Sequence, residues 1–161
     1  MISVLLSLSR RLALLSVLVC LGVGLGHAAE PPDNVAQAIA DAVQSCKDME
    51  GKPNADAVLS AQDVNGDGGE DWIADYNKFK CEGVPNPLCA NGGCTLQIYF
   101  WDGDTAWDLV FEDLVQSYKF GKNGGKPMMY VTTSGDACNK PTNETCLYTY
   151  RLDKDTVVPV K

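Results

Sequence analysis

The chain has 161 residues, 45% of them apolar, and carries a formal charge of −8. A surface this acidic repels nucleic-acid phosphates and anionic lipid heads, which argues against both as partners. The only histidine is His27. If residues 1–29 are removed, no Ser-His-Asp triad, no Cys-His pair and no imidazole metal ligand can form.

Arg10 and Arg11 precede an apolar run from Leu12 to Leu25, which ends in Gly26-His27-Ala28-Ala29. A basic start, a short apolar stretch and small residues at a cleavage point predict a secretory signal peptide over 1–29, cut after Ala28 or Ala29. The run is shorter than the roughly 20 residues a membrane span needs. Val19 before Cys20 is too bulky for a lipoprotein processing site. Residues 30–161 are then expected to form one domain, exported to the periplasm or secreted. Without Arg10 and Arg11, 11 basic residues face 21 acidic ones, a net charge of −10.

Pro31-Pro32 gives a stiff entry, and Asn34 followed by Gln37 resembles a capping box. Val35, Ala38, Ile39, Ala42, Val43 and Cys46 then recur at helical spacing, one apolar face that predicts a helix ended by Gly51 and Pro53. Beyond it, short apolar runs between turn residues predict strands at Ala57–Ala61, Trp72–Tyr76, Thr95–Trp101, Trp107–Phe111, Gln116–Phe120, Met128–Thr133, Cys146–Leu152 and Thr156–Val160. Asp102-Gly103 and Gly121–Gly125 read as hairpin turns. Trp107, Val110, Phe111, Leu114, Val115 and Tyr118 also fit helical spacing, so 107–118 is open between helix and strand. The expected fold is α+β: an N-terminal helix packed on a mainly antiparallel, twisted sheet.

Six cysteines remain beyond residue 29: Cys46, Cys81, Cys89, Cys94, Cys138 and Cys146. An even count in an exported chain reads as a disulfide framework. Loop closure favours near partners, which predicts Cys89–Cys94 and Cys138–Cys146 and leaves Cys46–Cys81. A four-cysteine zinc site, from Cys81, Cys89, Cys94 and one more, would need reduced thiolates, which export disfavours.

The chemistry-bearing motif is Asp63-Val-Asn65-Gly66-Asp67-Gly68-Gly69-Glu70-Asp71. Oxygen-bearing side chains recur at every second residue, and glycines stand where the backbone must fold back. Hard oxygen ligands converging on one point are what Ca²⁺ takes. The predicted metal ligands are the side chains of Asp63, Asn65, Asp67 and Asp71 and the backbone carbonyl of Gly69. Gly66 and Gly68 supply positive φ at little cost. The twelfth position, where an EF-hand places a bidentate acid, is Ala74, so this is not an EF-hand.

The nine residues resemble the D-x-[DN]-x-D-G-x-x-D loop of FG-GAP and VCBS-type repeats, in which Ca²⁺ holds the connection between two strands. The resemblance covers Ala57 to Tyr76; a single copy does not imply a propeller. The whole chain also resembles a recurrent type of small secreted proteobacterial six-cysteine protein, through this loop, Cys89-Ala-Asn-Gly92-Gly93-Cys94 and Gly135-Asp-Ala-Cys138. That resemblance implies export and carries no activity with it.

Lesser features have plain alternatives. Asp102 and Asp104 beside Trp101 and Trp107 suit sugar contact or an acid pair, but also a simple turn. Asn91-Gly92-Gly93 is expected as a tight exposed loop, of a kind that can enter a partner's cleft but more often is only a covalently closed turn. Tyr148, Tyr150 and Leu152 share a strand face and read as core. The leading functional expectation is an exported, calcium-stabilised, non-catalytic module that binds a protein or an envelope polymer; an inhibitor of an extracytoplasmic hydrolase is one form of it. The rivals are a carboxylate-based or metal-assisted hydrolase and a purely structural envelope protein.

Overall fold

The computed structural model describes residues 30–104 and 106–160. The expected signal peptide, with Arg10, Arg11, Cys20 and His27, lies outside the described residues. The fold is α+β, as the hydrophobic periodicities predict, and α1 spans Asp33–Asp48. Val35, Ala42 and Cys46 are its buried residues, with Ile39 and Val43 half-covered beside them. The capping box does not form. The prolines start the helix one residue ahead of Asn34, with Pro32 at the N-cap and no side-chain cap bond. Asn34 therefore lies inside the first turn and spends its amide on the Trp107 carbonyl, 2.7 Å away, while Gln37 bonds to Asp41.

The strands are β1 (Lys52–Asn54), β2 (Leu59–Gln62), β3 (Asp71–Asp75), β4 (Lys80–Glu82), β5 (Cys89–Ala90), β6 (Gly93–Trp101), β7 (Trp107–Val115), β8 (Ser117–Asn123), β9 (Lys126–Ser134), β10 (Thr145–Leu152) and β11 (Val157–Val160). The pairings among them are antiparallel throughout. They make two sheets and a ribbon, where a single sheet is expected from the sequence. The first sheet runs β2-β3-β6, with β5 and β7 also paired to β6; the second runs β11-β10-β9-β8; β1 and β4 form the ribbon.

Residues 107–115 are strand, and a β-bulge explains their helix-like spacing. Ile98 stands opposite Phe111 and Tyr99 opposite Leu109, so Val110 has no partner. One extra residue resets the two-residue alternation, and Val110 and Phe111 both reach the core. Between β8 and β9 the turn narrows to Gly124-Gly125, closed by Asn123 and Lys126. Both glycines have positive φ, +58° and +81°, as a type I′ hairpin demands.

All five residues of β3 are buried, because the first sheet is covered on both faces. On one face Trp72, Ala74, Tyr76 and Tyr99 pack with Val35, Ala42 and Cys46 of the helix. On the other, Ile73, Leu96, Ile98 and Phe100 meet Met129, Val131 and Leu152 of the second sheet. Each fully buried side chain of this size contributes roughly 1.5–3 kcal/mol. Tyr148 and Tyr150 pack against this second core, as expected.

Three disulfides join Cys46 to Cys81, Cys89 to Cys94 and Cys138 to Cys146, the pairing that loop closure favours. The first ties the helix to β4. The second closes the β5–β6 hairpin, and the third ties the short 3-10 turn Gly135–Cys138 to β10. No helix among the described residues is long and apolar enough to cross a membrane. Both features are compatible with an exported protein.

Candidate metal loop and the buried carboxylates

The Asp63–Asp71 segment connects β2 to β3, as its flanks predict. Gly66 and Gly68 have φ of +83° and +92°, which lets the chain double back within five residues. The loop is held by its own side chains. Asp63 accepts from the amides of Gly66 (2.6 Å) and Gly68 (3.1 Å) through its two oxygens. The Asn65 carbonyl oxygen takes the Asp67 amide at 3.0 Å, and Asp67 takes the Gly69 amide at 2.8 Å. These are the local turns that Asp and Asn side chains favour.

Three further contacts fix the loop to the rest of the molecule. Asn65 is buried and donates its amide to the Lys154 carbonyl in the β10–β11 turn. Glu70 offers its carbonyl to the Trp107 indole at 2.9 Å. Trp101 meets Trp107 edge-to-face, centroids 4.3 Å apart, and a side chain at Gly69 would touch the Trp101 ring. The two tryptophans thus brace the loop, and Asp102 and Asp104 form the adjoining turn, Asp102 capping the Asp104 amide at 2.7 Å.

Asp71 has 0% exposure. One of its oxygens accepts from Val64 (3.0 Å) and Asn65 (3.4 Å), and the other from Trp101 (3.2 Å). Burial pushes its carboxyl up from the ordinary range, with the Asp67 charge adding to the push, against the three amides that pull it down.

The donor chemistry of Asp63, Asn65, Asp67, Asp71 and the Gly69 carbonyl is all oxygen, the class calcium selects. Each carboxylate oxygen can accept more than one bond, and Asp63 and Asp67 are exposed. The arrangement itself is closed on loop amides. Asn65 turns its amino group toward Asp67 at 3.2 Å. Among the described residues no three Asp, Glu, His or Cys side chains are gathered as a metal shell.

A second buried carboxylate, Asp75, closes β3 and was not among the sequence candidates. It is 6% exposed. It caps the short turn Tyr76–Lys78 through the Asn77 amide at 3.2 Å. Its other oxygen takes the Tyr118 hydroxyl at 3.3 Å and pairs with Lys78 at 3.5 Å. Burial, then the Asp75 charge and hydrogen bond, push the Tyr118 phenol far above its usual range. The signal for this site would have been a lone acid in an apolar run, Trp72-Ile-Ala-Asp75-Tyr76, which is a poor fit to a buried strand.

A cleft of about 500 Å³ lies between the two disulfide-closed turns, lined by Asn91, Gly92, Asp113, Leu114, Asp136 and Ala137. No family model, curated protein or solved structure matches the chain.

Proposed function

We propose that the chain is an exported, disulfide-held binding module for a protein or an envelope polymer, without catalytic chemistry of its own, whose Asp63–Asp71 loop takes a calcium ion as a staple. The observation that supports the non-catalytic reading is the use made of the two deeply buried carboxylates. A hydrolase without histidine needs carboxylates with free lone pairs facing a substrate. Asp71 spends its oxygens on three backbone amides, and Asp75 spends its own on an amide, a phenol and an ammonium. Both are structural in use. Inhibition of an extracytoplasmic hydrolase remains one form of the module, through the Asn91-Gly92 turn beside the cleft, where Asn91 is exposed.

The protein, immobilised and exposed to an envelope extract, should retain a partner saturably and release it intact. Recovery of cleaved or chemically altered partner would overturn the non-catalytic reading. A second reading, of a metal-free loop, is favoured by the amide bonds that already satisfy Asp63 and Asp67. Calorimetry with calcium chloride or with chelator separates the two, since only a calcium loop shifts its melting temperature between them.

A further inference from the structure

β8 ends its sheet and is bonded to β9 on one side only. In an antiparallel ladder, hydrogen-bonded and non-bonded pairs alternate, and the pair that closes a two-residue turn is a bonded one. Counting back from Asn123, the residues Gly121, Lys119 and Ser117 bond to β9, while Tyr118, Phe120 and Lys122 turn N–H and C=O outward. Pro127, which has no N–H, stands opposite Lys122, as a non-bonded position permits. Among the described residues no backbone group of these three is bonded to another element.

Three clefts are lined by β8 residues, one of them, of about 300 Å³, shared with Asp63, Val64 and Gly66 of the β2–β3 loop. Another of about 440 Å³ is lined by Asp75, Asn77, Lys78 and the core-facing Tyr118 and Phe120. A third of about 250 Å³ is lined by Ser117, Lys119, Tyr130, Thr132 and Leu147. Leu147 is 69% exposed but lies two strands in from the edge, on β10 opposite Thr132, so this third cleft is on the outer face of the sheet. A strand laid along β8 would send successive side chains to alternate faces, one set toward the cleft beside Tyr118 and Phe120 and the other over Ser117 and Lys119.

Charge says which strand. From Leu114 to Gly135 the chain has no carboxylate, and Lys119, Lys122 and Lys126 fall in that stretch. The carboxylates beside the edge are Asp75, which is paired with Lys78, and Asp63, which is closed on its own loop amides. Lysines on an edge discourage indiscriminate pairing, and a second copy of β8 would set like charges against each other. An acidic segment converts that repulsion to attraction.

We infer that β8 is a docking edge for an extended acidic segment of a partner protein, which adds to the sheet as a strand beside Tyr118–Lys122. The inference rests on the binding-module reading and names its surface. The probe is a synthetic peptide of alternating glutamate and valine, compared with its lysine–valine counterpart and with a version broken by a central proline. Amide exchange is followed by NMR on the purified protein. The acidic peptide should slow exchange at Tyr118, Phe120 and Lys122 by roughly tenfold or more, and the two control peptides should not. Lys119→Glu, at an exposed position, should weaken binding. Lys122→Pro, which deletes one outward N–H, should abolish protection at its neighbours if the variant folds. Absence of binding, or protection confined to another edge, overturns the inference. Protection of these amides by an anionic polysaccharide and not by the peptide overturns it too, since the partner is then a polymer. A peptide bound elsewhere leaves the binding-module reading standing, whereas cleavage of the peptide defeats that reading.

Discussion

Asp71 opens β3 and Asp75 closes it, and at 0% and 6% exposure both are nearly out of water. Their partners differ. Asp71 is held by three backbone amides, two from its own loop and one from β6. Asp75 has one backbone amide, and otherwise a phenol and an ammonium on flexible side chains. Backbone donors cannot swing away to another partner when the acceptor is lost, and a buried donor left unmade costs more than the bond itself contributed. One end of the strand is therefore part of the fold, and the other is an adjustable network bordering a surface cleft. Equal burial of the same residue type does not mean an equal role.

The largest test of that difference is Asp71→Ala. It strands the amides of Val64, Asn65 and Trp101 together, and should cost about 2–4 kcal/mol in urea denaturation. Asp71→Asn should cost less, because one oxygen remains as an acceptor while the new amino group faces donors on the other side. A loss below about 1 kcal/mol for Asp71→Ala would erase the distinction between the two ends.

Calcium probes the same contrast with a smaller effect. For an ion of the millimolar affinity class, ten times its Kd adds roughly 1.4 kcal/mol. For a domain of this size that is a rise of about 4–7 °C in melting temperature. Asp67→Ala should remove the rise, and Asp75→Asn should leave it in place. A rise lost in both variants would mean that the ion acts on the whole strand; a rise seen in neither variant nor the parent would make the loop metal-free.

Local patterns predict most of this fold. The longer strands of both sheets follow from alternation and turn residues, and the disulfides from the short spacings at 89–94 and 138–146. What depends on distant contacts was not legible. β1, β4 and β5 are too short to show a period, and one extra residue at Val110 makes a strand look helical. Asn34 reads as a cap until a strand 73 residues away claims its amide. The candidate loop divides the same way. Its glycine turns and amide bonds are written in nine residues, but the Trp101 amide that meets Asp71 lies 30 residues off. The phenol that meets Asp75 lies 43 residues off, and no local rule connects them.

Tyr118→Phe is the mildest probe of the adjustable end. It removes one donor to Asp75 and leaves Lys78 and the Asn77 amide in place, so it should cost about 1 kcal/mol at neutral pH. The alkaline limb carries more information. Burial and the Asp75 charge raise the Tyr118 phenol above its usual pKa, so the unfolded chain gives up this proton before the folded one does. The stability linked to this phenol is whole below the free phenol's value near 10 and is lost as pH rises above it. Tyr76, Tyr99 and Tyr150 are raised as well, mainly by burial, so the parent loses stability steeply there. Tyr118→Phe should take at most one proton out of that slope, about 1.4 kcal/mol per pH unit. The variant should therefore be weaker than the parent at pH 7 and draw level with it as the solution becomes strongly alkaline. If the gap between them stays constant through pH 11, the Tyr118 phenol is not raised by its burial and its Asp75 contact together, and this end of β3 is less coupled to β8 than its geometry indicates.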